Sequence, residues 1–547
     1  MDHVGQKRYE IAPVGFCLDL LADRGKVIGV VGTPQIFESA EDRRQVLMSA
    51  VRSDPLLWGA LAEIGSPRDQ NNRINDWLRE IAKIKAHPIS RIPEAGSFEE
   101  QLLEAYDAGL AASGAIDFDD LLLLSYRFLT EVPQVADLYR RIYRYICVDE
   151  AQDLNEAQYA VITALCGNNF RNLMLVGDPK QSIYGFNTSS PRFMDDFVTD
   201  FRATRIEMTE NFRSSQMVVR AARALVPTDS VEGQLTIPGR VSVLVGDDEA
   251  HEATLVVDEI ERLLSEGHPE IEGAITLSKC AVLGRNRYCI AAIEGELEKR
   301  QLKFRRLSAA HEFESELVQQ FLLALKLLAN PADQFHMNSL LKAWGARSRA
   351  SRKCASASEV ITALFEVASA TGVQGQLTIV DALKTIDPVQ TPRFRAALSA
   401  LTKYADTLDE DSRRYVYGDA EILTKELDQY LRSKSTSSSL VGLLSNLALG
   451  STQQHNVDGI SLLTVHASKG LEFEVVFIAG MAEGIFPDYR ATIGASTLNE
   501  ELRNAFVAVT RAKRLLYLSY PKLRLMPWGD TRATYPSRYL KSMTQIG

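Results

Sequence analysis

The sequence predicts an α/β protein built on parallel strands joined by helices, and three stretches predict it. In YICVDEAQD, Tyr145 to Asp153, a short apolar strand over 146–148 runs straight into Asp149 and Glu150, with Gln152 and Asp153 behind them. In NLMLVGD a second apolar strand ends at Asp178 and continues as PKQSIYGF, and in RIEMTE a third feeds NFRSS at Asn211 to Ser215. An acidic turn after an edge strand would explain the first alone. Three successive strands ending in polar residues fit parallel strands joined by helices, whose carboxyl ends are where open α/β sheets bind ligands.

Length and composition set the frame. At 547 residues the chain exceeds one core, and about 100 to 200 residues per domain predicts three or four domains. Hydrophobic content of 46% and charged content of 24% are ordinary for a soluble globular protein. No apolar run approaches a membrane span of roughly 20 residues, and MDHVGQKRYE has no signal-peptide layout, so a cytoplasmic protein with no membrane partner is expected. A net charge of −10 argues against coating nucleic acid by bulk electrostatics and leaves a local basic channel open. The six cysteines form no C-x-x-C pair and read as buried small apolar residues, and the eight histidines form no metal-spaced cluster.

In chain order, GFCLDLL at 15–21 reads as a helix and KVIGVVG at 26–32 as an extended piece. Residues 38 to 131 are helical in pattern, with charged helices near 74–85 and 98–110 and a leucine-rich one at 117–129. Asp117, Asp119 and Asp120 are read as caps of that helix, with metal binding as the alternative. A helix is expected over 156–166, strands over 240–245 and 279–283, and a helix over 315–328 closed by Asn330 and Pro331. Residues 332–449 are almost wholly helical in pattern, interrupted by polar low-complexity stretches at 346–358 and 432–439 that read as flexible connections. The end returns to α/β character, with strands at the start of ISLLTVHASKG and over EVVFIAG, a helix over 500–513 ending in basic residues, and a closing strand over 514–520.

DEAQD, GDPKQSIYGF, NFRSS, TVHASKGLEFEVVF and VAVTRAK stand in the order and spacing of the motifs of UvrD/Rep/PcrA-like superfamily 1 DNA helicases, which the chain resembles from Gly15 to Tyr520. The resemblance implies two RecA-like P-loop NTPase motor domains with mainly helical insertions. The segments are then 1–38 and 116–225 for the first motor, 39–115 for its insertion, 226–331 and 451–547 for the second motor, and 332–450 for its insertion. It implies ATP and Mg2+ as cofactors, single-stranded DNA and duplex junctions as partners, and ATP-driven 3′-to-5′ translocation with unwinding. Hydrolysis of a nucleoside triphosphate needs a carboxylate for the metal, a group that activates water, a γ-phosphate sensor and cations that stabilise the transferring phosphoryl group. By resemblance Asp149 holds Mg2+, Glu150 activates the water, Gln181 senses the γ-phosphate, and Arg213 and Arg511 contact it. Phe212, where the family usually has Tyr, stacks on the adenine, and Gly470 and Glu472 contact the nucleotide. Tyr184 and Phe186 are the stacking candidates for bases, and His466 and Arg285 resemble positions near the strand. A solvated cation is the favoured reading of Arg285, because GRNRY departs from the family's usual Arg-x-Asn. Asn187 stands where an Arg commonly follows the aromatic, which predicts weaker DNA affinity.

One family element is missing. No G-x-x-x-x-G-K-[ST] string occurs, and the nearest fragments, DRGKVIG at 23–29 and ASKG at 467–470, lack its spacing and its Ser or Thr. APVG at 12–15 also stands where the family usually has a Thr-x-His pair. The expected first motor is therefore N-terminally incomplete, and little or no ATPase is expected of this polypeptide alone. A truncated helicase is the favoured account. The alternatives are a phosphate loop supplied by a second polypeptide, or a non-catalytic single-stranded DNA-binding or interaction subunit of a repair or defence complex.

Overall fold

The predicted α/β character resolves into a helical unit and a sheet-centred unit in a computed structural model that describes residues 13–30, 34–37, 39–167, 170–183, 189–226, 232–233, 236–306, 313, 315–346, 354–388, 394–433, 439–449, 459–525 and 531–544. The sheet-centred unit spans 146–154, 173–310 and 452–547; the helical unit spans 1–145, 155–172 and 311–451. Among the described residues no helix is long and apolar enough to cross a membrane.

Eight strands matter to the sheet-centred unit. They are β1 (Ile146–Val148), β2 (Leu173–Leu175), β3 (Arg240–Gly246), β4 (Cys280–Gly284), β5 (Phe304–Arg306), β6 (Ile460–Thr464), β7 (Phe473–Ala479) and β8 (Ala512–Pro521). Six of them form one parallel sheet in the order β3-β8-β7-β4-β6-β5, and β1 pairs with β2 in a separate parallel ladder. Strands of the larger sheet are apolar on both sides because successive side chains point to opposite faces and both faces are covered. Ala281, Leu283, Val476, Ile478, Leu516 and Leu518 pack with apolar residues of the helices Gln216–Leu225, Ala495–Val509 and Arg538–Thr544. Their neighbours Val282, Val475, Phe477, Leu515 and Tyr517 pack on the other face with the helices Glu249–Glu266 and Ala291–Lys299. Each fully buried Leu here contributes roughly 1.5–3 kcal/mol relative to exposure.

The helical unit has two separate apolar cores. One gathers Phe37, Leu47, Leu61, Ile74, Trp77, Leu102 and Tyr106; the other gathers Phe321, Leu325, Leu340, Leu364, Leu383 and Leu401. A two-residue parallel ladder, Gln35–Ile36 with Ala115–Ile116, closes the first. The capping reading of the DFDD acids holds. Asp117 is the N-cap of the helix Phe118–Glu131 and forms a reciprocal capping box with Asp120.

Several expectations are corrected. The stretch read as extended begins as a 3-10 turn over Gly25–Ile28, with Gly29 left-handed beyond it (φ 87°) and 31–33 outside the described residues. The third strand of the DEAQD region is reduced to Glu210–Asn211, paired in parallel with Glu232–Gly233. Among the described residues, the backbone of 204–209 finds no hydrogen-bond partner, and Ile206 and Met208 are 84% and 88% exposed. An apolar alternation without a neighbouring strand forms no ladder. The helix expected over 500–513 stops at Val509, so Arg511 lies in the turn before β8 and Lys513 lies within β8. Cys147 is exposed, whereas the other five cysteines are buried as expected.

Candidate active site

The site is assembled at the carboxyl ends of β1 and β2, where backbone bonds from Val176 N to Val148 O and from Ala151 N to Val176 O carry the pairing past the ladder. Gly177 makes this approach possible: a Cβ there would lie 2.4 Å from Gln152 Oε1 and 3.0 Å from the amides of Ala151 and Gln152. Asp149 and Glu150 follow β1 directly, and both are exposed. Glu150 takes a left-handed backbone (φ 53°), uncommon for a residue with a Cβ, and its amide donates to Asp149 Oδ1 at 2.9 Å.

Gln152, fully buried, links the two strand ends. Its Nε2 donates to Glu150 Oε2 at 2.5 Å, and its Oε1 accepts from the Asp178 amide at 3.0 Å. Asp178 caps the turn Pro179–Gln181 by accepting from Lys180 N, and its other oxygen accepts from Gln181 Nε2 at 3.0 Å. Gln181 Oε1 in turn accepts from Arg511 Nη2 at 3.0 Å. The chain Glu150, Gln152, Asp178, Gln181, Arg511 is thus one continuous hydrogen-bonded path, all within the sheet-centred unit.

Arg511 is buried and donates Nε to Val507 O and Nη1 to Leu471 O. Burial, reinforced by the nearby Arg213, pulls its guanidinium down to about 10, while Glu150, Glu472 and Asp178 oppose that shift. It remains a cation at neutral pH. Arg213 Nε pairs with Glu472 Oε2 at 2.7 Å, and Glu472 Oε1 pairs with Lys513 Nζ at 2.7 Å. The Lys513 bond and then the Arg213 charge hold Glu472 below the ordinary carboxylate range, against a desolvation effect. NFRSS is fastened to the start of β8: Ser215 N donates to Lys513 O, Ser214 Oγ to Ala512 O, and Arg514 Nη1 back to Arg213 O. Phe212 beside it is 67% exposed, a free aromatic face. Lys469, from the ASKG turn, donates to Asp153 Oδ2 at 2.5 Å and to Gln181 O at 2.8 Å, and Gly470 next to it is left-handed (φ 79°).

The expected phosphate-facing residues Gln181, Arg213 and Arg511 are therefore brought together with Glu150 and Glu472. Gln152, Asp178, Lys469 and Lys513 belong to the same network without having been assigned a role from sequence. Gln152 and Asp178 lie inside quoted motifs, which was the available signal; the two lysines show no signal beyond sharing motifs with Gly470 and Arg511. Among the described residues no group of three His, Cys, Asp or Glu side chains is placed to hold a metal. The donor set that fits a metal-bound polyphosphate is the exposed Asp149 carboxylate with cations opposite it, and the amide cradle of a phosphate loop has no counterpart in the sequence.

The residues expected near a DNA strand fare differently. Tyr184, Phe186 and Asn187 lie outside the described residues. Arg285, at the end of β4, is engaged by Glu501 at 2.7 Å and is not simply a solvated cation. His466, at the end of β6, is partly buried, and burial first and then Arg285 lower its proton affinity. Two exposed aromatics missed from sequence sit beyond the ends of β4 and β7: Tyr288 at 73% and Tyr489 at 61% exposure, the latter with the Arg490 guanidinium 5.8 Å from its ring. An aromatic next to an arginine, in GRNRY and in PDYR, was their signal.

Residues 16–202 match the UvrD/REP helicase N-terminal domain, and residues 206–354 and 419–522 match the UvrD-like helicase C-terminal domain. The chain is 28% identical to the ATP-dependent DNA helicase PcrA of Bacillus subtilis (strain 168), over 96% of this chain and 74% of that protein. It is 27% identical to the ATP-dependent DNA helicase UvrD1 of Mycobacterium tuberculosis (strain ATCC 25618 / H37Rv), over 97% of this chain and 74% of that protein. A PcrA of Staphylococcus epidermidis (strain ATCC 12228 / FDA PCI 1200) is 26% identical over 97% and 75%.

Proposed function

Because the chain belongs to the UvrD-like family of DNA helicases, we propose that its site is built for ATP-driven 3′-to-5′ movement along single-stranded DNA, with Mg2+ as the metal. The observation that carries this reading is the unbroken path from Glu150 through Gln152, Asp178 and Gln181 to Arg511. Bound Mg2+ and ATP supply the scissile phosphoanhydride and neutralise part of its charge. Asp149 is the carboxylate to hold the metal. Glu150 orients the attacking water and takes its proton. Arg511 and Arg213 stabilise the charge that develops on the transferring phosphoryl oxygens, and Gln181 ties that cation to the strand ends. Phe212 offers a face to the base, and Gly470 and Glu472 line the nucleotide from the other motor. The six-segment partition into two motors and two insertions goes with this reading, as do Arg285, His466, Tyr288 and Tyr489 as the strand-facing edge.

In the same reading the polypeptide of this sequence hydrolyses ATP slowly or not at all, since a lysine and an amide cradle that act on the transferring phosphate in the transition state have no equivalent among its 547 residues. A truncated helicase, or one completed by a second polypeptide, accounts for the retained charges. The absent phosphate-loop string favours a second reading, a single-stranded DNA-binding or interaction subunit without turnover. DNA-stimulated ATPase of the full chain tests both, with Glu150→Gln as the control. Turnover at the level of that variant is expected; DNA-stimulated hydrolysis that Glu150→Gln abolishes would overturn the impaired-turnover reading. Binding of an oligo-dT strand that tightens or loosens with ATP and with Arg511→Ala supports the motor, and binding indifferent to both supports the subunit.

A further inference from the structure

Within the helical unit three ionisable side chains meet away from water. His336, Asp333 and Asp42 are all buried. His336 Nδ1 lies 2.5 Å from Asp333 Oδ2, and His336 Nε2 lies 3.2 Å from Asp42 Oδ2, an ion-pair distance without the alignment of a full hydrogen bond. Asp333 is the N-cap of the helix Gln334–Ala343, accepting from the amides of Phe335 and His336, and it also accepts from Gln35 Nε2 at 3.0 Å. Asp42 stands in the first turn of the helix Ala40–Ser53, whose N-cap is Ser39. Gln35 is itself held by Asn330 at 2.7 Å, and Phe37 packs edge-on to the imidazole at 5.3 Å. The remaining charged group that acts on the imidazole is Lys326, on the helix Glu316–Ala329, which disfavours its protonation while favouring the Asp42 carboxylate.

Two buried carboxylates on opposite sides of one ring require two N–H donors. An imidazolium has them; a neutral imidazole has one donor and turns a lone pair toward the other carboxylate. We propose that His336 is a pH-operated latch, which as an imidazolium ties the helix carrying Asp42 to the helix capped by Asp333 and lets the two separate when its proton leaves. The hydrogen bond to Asp333 and then that to Asp42 outweigh burial and raise the proton affinity of His336 in the folded chain. A raised folded-state value stabilises the contact fully below the ordinary histidine value of about 6.5, and this stabilisation is lost as pH rises through the raised value. The latched helices lie in 39–115 and 332–450, so the device sets how firmly the two proposed insertions hold one another.

Hydrogen–deuterium exchange on the full chain between pH 6 and 8.5, corrected for the intrinsic pH dependence of amide exchange, tests this. Protection of peptides from 40–53 and 334–343 is expected to fall with rising pH by up to about tenfold per unit, while β7 and β8 keep theirs. In His336→Gln, which cannot be charged, both peptides lose that pH dependence and stay at the wild-type high-pH level. Asp42→Asn keeps the histidine with one carboxylate and moves the fall to lower pH, which provides the reading if the glutamine variant does not fold. Flat protection in the wild type, or an unchanged profile in either variant, would overturn the latch.

Discussion

Acids are concentrated at two places in this chain, DFDD and DEAQD, and the structure uses them in opposite ways. Around DFDD, the Lys85 ammonium, fully buried, is ringed by Asp107 at 2.7 Å, Asp117 at 3.3 Å and Asp120 at 2.6 Å, with the Tyr106 ring 4.8 Å below it. The lysine ends the helix Pro67–Ala86 and two of its carboxylates begin the helix Phe118–Glu131, so both helix dipoles favour the pairing. Around DEAQD the carboxylates point outward, Arg213 is half exposed, and its Glu472 partner is shared with Lys513. The first cluster cancels its charge inside the protein and has nothing to offer a ligand. The second keeps its charges accessible and ties only their supports, Gln152 and Asp178, into the fold. Whether charge is cancelled internally separates a staple from a site; the number of acids does not.

The largest expected effect breaks the staple. Lys85→Met removes the cation from carboxylates that are already desolvated, and breaking a buried ion pair from one side costs about 3–5 kcal/mol. Chemical denaturation of the full chain should show that loss, with the helical unit unfolding first. A change below about 1 kcal/mol would mean that the three carboxylates are as well solvated as those of DEAQD, and the contrast between the two clusters would collapse.

A smaller effect strikes the supports of the site. Gly177→Ala places a Cβ against Gln152 Oε1 and two backbone amides, so β1 and β2 must part or the glutamine must turn away. Overpacking of this kind costs about 1–3 kcal/mol. Because Gln152 would then release Glu150 and Asp178, the variant should also lose ATP-dependent change in oligo-dT binding, which Lys85→Met refolded at low denaturant should retain.

The contrast also explains how much was legible. Hydrophobic strands over 240–246, 280–284, 460–464, 473–479 and 512–521 announce themselves because a doubly covered parallel strand is a run of apolar residues with little else to become. Glu150, Gln181, Arg213 and Arg511 were legible as motif letters, and their meeting depends on long-range folding that the motif order implies. Lys85 was not legible, because a lysine in a charged helix reads as solvated until three carboxylates from other helices surround it. RIEMTE misled for the reverse reason: Ile206 and Met208 alternate as a strand should, but a strand needs a neighbour, and the local pattern cannot say whether one is present. His336 and Asp42, far apart in sequence, carried no pattern at all.

The smallest expected effect lies at the exposed end of the site. Arg213→Ala deletes an ion pair to Glu472 that solvent already screens and that Lys513 partly replaces, so stability should change by less than about 1 kcal/mol. Arg511→Ala, by contrast, strands the carbonyls of Val507 and Leu471 and the Gln181 amide oxygen in a buried setting, at about 1–3 kcal/mol. Two arginines proposed to face the same phosphate thus divide into one held by the protein and one left for the ligand. Melting temperatures of the two single variants and the double variant measure that division. Equal losses from both would show that Arg213 is a structural residue like Arg511 and would remove its claim to a ligand.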